Sequence, residues 1–213
     1  MGTDEASLPA GPFAAWLAEI QGAIRGERDA EVACGPCTAC CASSQFVHIA
    51  PDETDALAHI PKALLFPAPR MPRGHVLLGY DERGRCPMLT DAGCSIYEHR
   101  PRTCRTYDCR VFAAAAVTPE DDKPAIARQA GRWVFEHPAD ADRAAHAAVR
   151  AAAEYLRDRA DELPAGAAPR TATQRAVAAV EVHDVFLRPA EADADADGRR
   201  VEIGRRLAPP TRR

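Results

Sequence analysis

The sequence predicts an α-rich α+β protein, with a small irregular module containing a β-hairpin packed by helices from both flanks. Three observations predict it. Apolar residues recur at helical spacing before residue 26 and again after residue 120. Between these stretches the chain shows short alternating runs broken by Gly, Pro and Asp turn signals. All eight cysteines of the 213-residue chain fall in this middle part, where large apolar residues are few.

Residues 1–11 read as a flexible N-terminal tail. Phe13, Trp16, Leu17, Ile20 and Ile24 form one apolar stripe, which predicts a helix from Pro12 to Arg25. Gln45–Ala50 reads as a short strand. Pro51-Asp52-Glu53 opens a helix with acids in its first turn, which carries Leu57 and Ile60 and stops near Pro61. Residues 67–74 read as a loop. His75–Tyr80 and Arg85–Thr90, joined by Asp81-Glu82-Arg83-Gly84, predict a β-hairpin. Asp91-Ala92-Gly93 is a second turn that delivers Cys94-Ser95-Ile96-Tyr97. One helical turn is expected near Pro101–Arg105. Residues 120–135, 139–163 and 171–187 are expected to be helical. Val149, Ala152, Leu156, Ala160 and Leu163 mark one stripe, and Ala178, Val182, Val185 and Phe186 another. The expected organisation is thus a cysteine-bearing domain with its leading helix at 12–112, a helical region at 113–188 and a disordered tail at 189–213, where Ala/Asp alternation gives way to Arg and Pro.

The gross composition narrows the function classes. A net charge of −4 gives no global attraction to nucleic acid or anionic membranes. No apolar run of about 18 residues suggests a membrane span, and the acidic start, Met1–Glu5, is unlike a signal peptide. The expected compartment is the cytoplasm, where thiols stay reduced and clustered cysteines point to metal binding or catalysis rather than disulfides.

The cysteines carry the chemistry. Cys34, Cys37 and Cys40 repeat a Cys-x-x-Cys step, which lets thiolates converge on one ion or cluster from a single loop. Cys41 adjoins Cys40, and adjacent side chains diverge, so the two are expected to serve separate ions or different corners of one cluster. Cys86, Cys94, Cys104 and Cys109 complete the candidate ligand set. Eight thiols suffice for two four-ligand sites, or for one site with reserve thiols. The expected cofactor is zinc or iron, with a [4Fe-4S] cluster as one form of the latter. Arg100, Arg102, Arg105 and Arg110 lie near Cys104 and Cys109 in sequence, and their charge would offset that of the thiolates. Tyr97 is read as packing under the site, and Arg100-Pro101 as a brace for Cys104.

Other readings carry less. Cys34-Gly35-Pro36-Cys37 repeats a thiol–disulfide exchange tetrapeptide, but it runs straight into Cys40-Cys41 and follows an acidic loop. None of the seven histidines pairs with another at i, i+4. His48, His75 and His99 lie within the cysteine-bearing region as alternative ligands. Arg199-Arg200, Arg205-Arg206 and Arg212-Arg213 are interspersed with acids and do not predict specific nucleic-acid binding. The C-terminal helices are the expected docking face for any protein partner.

The ordered motifs Cys34-x2-Cys37-x2-Cys40-Cys41, Gly84-x-Cys86-Pro87-x-Leu89, Cys94-x-Ile96-Tyr97, Arg100-Pro101-x2-Cys104-Arg105 and Cys109 closely resemble the YkgJ-type cysteine-cluster (CxxCxxCC) family over Cys34–Arg110. The resemblance implies a domain that chelates zinc, iron or an iron–sulfur cluster. A related cluster in flagellin lysine methylases leaves open an oxidoreductase or methyltransferase-like enzyme built on the same centre. No glycine-rich nucleotide loop supports the latter here.

Overall fold

The computed structural model describes residues 6–30, 32, 36–187 and 194–208. In chain order its helices are α1 (Phe13–Ile24), α2 (Thr54–His59), α3 (Arg102–Thr106), α4 (Arg110–Ala115), α5 (Pro124–Gly131), α6 (Asp140–Asp158), α7 (Ala172–Val182) and α8 (Ala194–Leu207). The strands are β1 (Leu8–Pro12), β2 (Val47–Ile49), β3 (Leu65–Pro67), β4 (Val76–Leu78), β5 (Leu89–Thr90), β6 (Gly93–Cys94) and β7 (Trp133–Glu136). The expected α-rich α+β class is what the chain adopts. It divides into two units. One comprises Met1–Gln21, Cys109–Glu120 and Ala130–Arg213, and the other Gly22–Asp108 and Asp121–Gln129.

The first unit is mainly helical. Phe13, Trp16, Leu17 and Ile20 are buried along one face of α1, as their spacing requires. Phe13 and Trp16 pack on Phe135 of β7, with ring centroids 5.0 and 4.8 Å apart. The start of α1 is closed by Asp142 of α6, which accepts from the Ala14 N–H at 2.8 Å and from the Ala139 N–H at its own helix start at 3.1 Å. One carboxylate thus satisfies unpaired donors of two helix N-termini. The Ala14 N–H is the main reason its carboxyl is held below the usual range. On α6 and α7 the buried residues are mostly small: Ala148, Val149, Ala152 and Ala153, then Ala176, Ala178, Ala179 and Val180. Alanines let the two helices approach closely and account for a real core despite few aromatics.

Four expectations are corrected in this unit. Leu8–Pro12, expected in the tail, is strand β1 and pairs in parallel with β7. Residues 133–135, the end of a stretch expected to be helical, belong with Glu136 to β7, where Trp133 and Phe135 alternate with exposed Val134 and Glu136. The segment after Cys109, given no element, is the short helix α4, ended by Ala116 in the left-handed region at φ 51°. The tail expected to be disordered contains α8, whose Ile203 is fully buried and whose Arg206 pairs with Asp184. One buried apolar residue per few turns is too sparse a pattern to stand out among Ala, Asp and Arg. Residues 188–193 and 209–213 of that tail lie outside the described residues.

The second unit is built on a three-stranded antiparallel sheet of order β2-β4-β3. Val47, Ile49, Ala56, Ile60, Leu78 and Ile96 form its core. The expected hairpin is re-paired. β4 lies between β2 and β3, while residues after the Asp81–Gly84 turn pair instead as β5 with β6, Leu89 opposite Cys94. The alternation in 75–80 marked a strand correctly, but a short strand carries no information on which neighbour it takes.

Candidate metal centre

Among the described thiols of the second unit, Cys86, Cys94 and Cys104 come from separate short segments that pack against this core. Cys41 lies in a 3-10 turn at Cys40–Ala42. That turn is tied down by the Ala42 N–H to Thr38 carbonyl bond at 3.0 Å and by the Ser43 hydroxyl donating to the Ala39 carbonyl at 2.6 Å. The Cys41 carbonyl accepts the backbone N–H of Cys86 at 2.7 Å. The Cys86 segment is shaped by the Asp81 turn. There Asp81 Oδ1 accepts from the N–H groups of Arg83 and Arg85 at 2.9 and 2.8 Å, and Gly84 takes φ 74°. Ser44 donates its N–H to the Gly84 carbonyl at 2.8 Å. Cys94 sits on β6 opposite Leu89. Cys104 lies on α3, where its N–H donates to the Pro101 carbonyl at 2.9 Å.

Cys86, Cys94 and Cys104 are half-buried and pack against the Val47–Ile49–Leu78–Ile96 core, together with Met88. Burial first, and then negative charge on Cys41, Cys86 and Cys94, together push the Cys104 thiol up from 9.0 to about 12 against the opposing effect of Arg100. Burial also raises Cys86, and the backbone N–H groups of Met88 and Leu89 favour its thiolate. Two N–H groups turned on one sulfur by the Cys86-Pro87-Met88-Leu89 bend support a thiolate ligand in the way that partners beyond the metal commonly do. Cys41, Cys86 and Cys94 thus all disfavour ionisation of Cys104, so a thiolate there is costly without added positive charge. A bound cation supplies that charge and reverses the penalty. As a donor set, these residues fit a soft or borderline metal. Among the described residues, the three sulfurs nearest one another do not close to within 4.8 Å; only Asp55, His59 and His99 gather three ligand atoms that tightly.

The other cysteines stand differently. Cys37, in the loop leading to the 3-10 turn, and Cys40, the first residue of that turn, are half-buried. Cys34 lies outside the described residues. Cys109 belongs to the helical unit, at the residue before α4, where it is buried and its Sγ accepts the Trp133 indole N–H at 3.2 Å.

The basic cluster is more subdivided than its sequence suggests. Arg102 pairs with Asp52 at 3.0 Å and Arg105 with Asp29 at 2.6 Å. Arg110 is buried in the helical unit and donates to the Ala10 carbonyl at 3.3 Å. Arg100 is the guanidinium that acts on Cys104. Tyr97, expected to pack under the site, is 52% exposed, with Arg100 stacked 3.6 Å over its ring. Besides the Pro101 carbonyl, α3 is braced by Glu53, which sequence reading treated only as a helix-start acid. It is buried, and its carboxylate accepts from the N–H of Ala50 at 2.9 Å and from the N–H of Arg102 at the start of α3. Thr103 adds a bond from its hydroxyl to the His48 carbonyl at 2.7 Å, fixing α3 to β2. His48 and His75, kept as alternative ligands, bond to each other at 2.9 Å.

Half-buried soft donors delivered by separate segments are the chemistry that a thiolate-bound metal would require. Residues 33–127 match the sequence model of the CxxCxxCC family, described as a putative zinc- or iron-chelating domain. Residues 1–32 and 128–213 lie outside the match. No curated protein and no solved structure matches the chain. No helix among the described residues is long and apolar enough to cross a membrane.

Proposed function

We propose that the protein holds zinc or iron through cysteine thiolates. In this reading Cys41, Cys86, Cys94 and Cys104 form one four-ligand set. Cys34, Cys37 and Cys40 supply further ligands from the CxxCxxC loop. The observation that carries it is the packing of Cys86, Cys94 and Cys104, from three separate segments, against one small core, with Cys41 tied to Cys86 through its backbone carbonyl. Such an arrangement is costly without a cation and favourable with one. A four-thiolate zinc site carries a formal charge of about −2, which Arg100 offsets in part. The same donors suit a [4Fe-4S] cluster. The CxxCxxC step and the family description support either metal. In this reading Cys109 serves the core of the helical unit rather than the metal. The reading needs reduced thiols, in keeping with the cytoplasm expected from cysteine usage.

The test is metal and acid-labile sulfide analysis of protein purified without oxygen and without added metal. Colourless zinc supports a structural or chelating centre. Iron with sulfide in similar amounts supports a cluster and makes redox or enzymatic use the next question. Protein that is metal-free and takes up neither zinc nor iron overturns the reading.

A further inference from the structure

We infer that the cysteine-bearing unit carries a second, thiol-free site for a divalent transition-metal ion, formed by Asp55, His59 and His99. Asp55 and His59 stand four residues apart on α2, so both project from one face of the helix. His99 comes from the separate 3-10 turn at Tyr97–His99. His99 Nδ1 lies 2.9 Å from Asp55 Oδ2, and His59 Nδ1 lies 2.9 Å from the Asp55 carbonyl oxygen and 3.6 Å from Asp55 Oδ1, which leaves His59 Nε2 as its ligating nitrogen. The two imidazoles stack face to face, with centroids 3.5 Å apart and planes within 4°. One ligand atom from each of the three residues lies within 4.8 Å of the other two.

Two neutral imidazole nitrogens and a carboxylate make the donor set of zinc, nickel, cobalt or copper, and not of calcium or magnesium, which take oxygen. Three protein ligands with water in the remaining positions give an open site rather than a closed structural one. The exposure fits that class: the side chains of Asp55, His59 and His99 are 68%, 41% and 40% exposed. Asp55 also lines a polar cleft of 480 Å³ whose walls carry both carboxylates and arginines, so water or a polar ligand on the metal would find hydrogen-bond partners there. The backbone beneath is held independently of the ligands. Ala56 of α2, Ile60 just after it and Ile96 before the 3-10 turn are buried in the same core, and the His99 N–H donates to the Ile96 carbonyl at 2.8 Å. The site is separate from the thiols and stands whether or not these bind metal.

The test uses cobalt(II) with the full chain, purified under reducing conditions. Cobalt held by thiolates gives an intense sulfur-to-metal charge-transfer band, whereas cobalt held by imidazole and carboxylate gives only weak ligand-field absorption. The inference expects one cobalt ion beyond any thiolate-bound cobalt. That ion should be absent or bound at least about 10-fold more weakly in Asp55→Asn, His59→Gln and His99→Gln, since losing even a group that supports a ligand costs about 10–100-fold. Any charge-transfer band should be the same in all four proteins. A second readout needs no variant. In wild-type protein, zinc should shift the imidazole nitrogen resonances of His59 and His99 and leave those of His48 and His75 in place. Equal uptake by wild type and variants, or unshifted His59 and His99, would overturn the inference and leave the triad as a hydrogen-bonded dock between α2 and the following turn.

Discussion

Cys86 donates its backbone N–H to the Cys41 carbonyl at 2.7 Å, joining the CxxCxxCC loop directly to the Gly-x-Cys-Pro segment. The two motifs are therefore held by the main chain before any metal arrives. The remaining partners, Cys94 and Cys104, are placed by β6 and α3 on the same core. The predictions below follow from the residues that maintain this arrangement.

Glu53 is the positioning residue for α3. Glu53→Ala leaves the N–H groups of Ala50 and Arg102 without their acceptor. The expected cost is about 2–3 kcal/mol by chemical denaturation, with metal affinity lowered as Cys104 loses its fixed helix start. Glu53→Gln keeps one acceptor oxygen and should lie between the two. Unchanged stability in Glu53→Ala would contradict the role.

Gly84 is required at the turn before Cys86. It has φ 74°, and a Cβ placed there would lie 2.3 Å from the Ser44 hydroxyl oxygen. Gly84→Ala should therefore destabilise by more than the backbone cost of about 1–2 kcal/mol. Adding Ser44→Ala should recover the steric part and leave the backbone part. Thermal unfolding of the three proteins checks this, and full recovery by the double variant would show the backbone argument to be wrong.

How far these features were legible in the sequence follows from their physics. The leading helix was legible because Phe13, Trp16, Leu17 and Ile20 repeat at helical period. The cysteine motifs were legible because their order and spacing are local. Strand partners were not, since β2, β3 and β4 have three residues each and the alternation of β4 suits either neighbour. The brace at Glu53 and the Asp55–His59–His99 group were missed because they depend on contacts between distant segments. The Asp55/His59 spacing was the available signal, hidden by a search for histidine pairs alone.

The metal-free protein should lose stability as the solution becomes alkaline. Unfolded Cys104 releases its proton near the ordinary 9.0, whereas burial and neighbouring thiolates hold the folded thiol protonated to about 12. Between these values the folded state binds more protons, so stability falls as pH rises through that window. Cys104→Ala should flatten this part of the stability–pH curve. With metal bound the thiols are already ionised, and the sensitivity should move to low pH, where protons compete for the ligands.

Acid should weaken the helical unit through His146. Its ring is buried, stacked 4.2 Å from Phe13, and bonded through Nδ1 to His137 Nε2 at 2.7 Å. Burial, with Arg150 nearby, lowers it from 6.5 to about 4. The unfolded chain takes up the proton first as pH falls, so stability declines from about 6.5 toward 4. His146→Leu should reduce that slope, and an identical slope would argue that other groups set it.

The central claim rests on which thiols hold the metal. The most direct measurement is metal content per chain, by elemental analysis of anaerobically purified protein, compared among wild type, Cys86→Ser, Cys104→Ser and Cys109→Ala. The account predicts zinc or iron in the wild type, loss of ions from Cys86→Ser and Cys104→Ser, and wild-type content in Cys109→Ala, with only stability reduced. Metal retained in full by the first two variants, or lost only with Cys109, would contradict it.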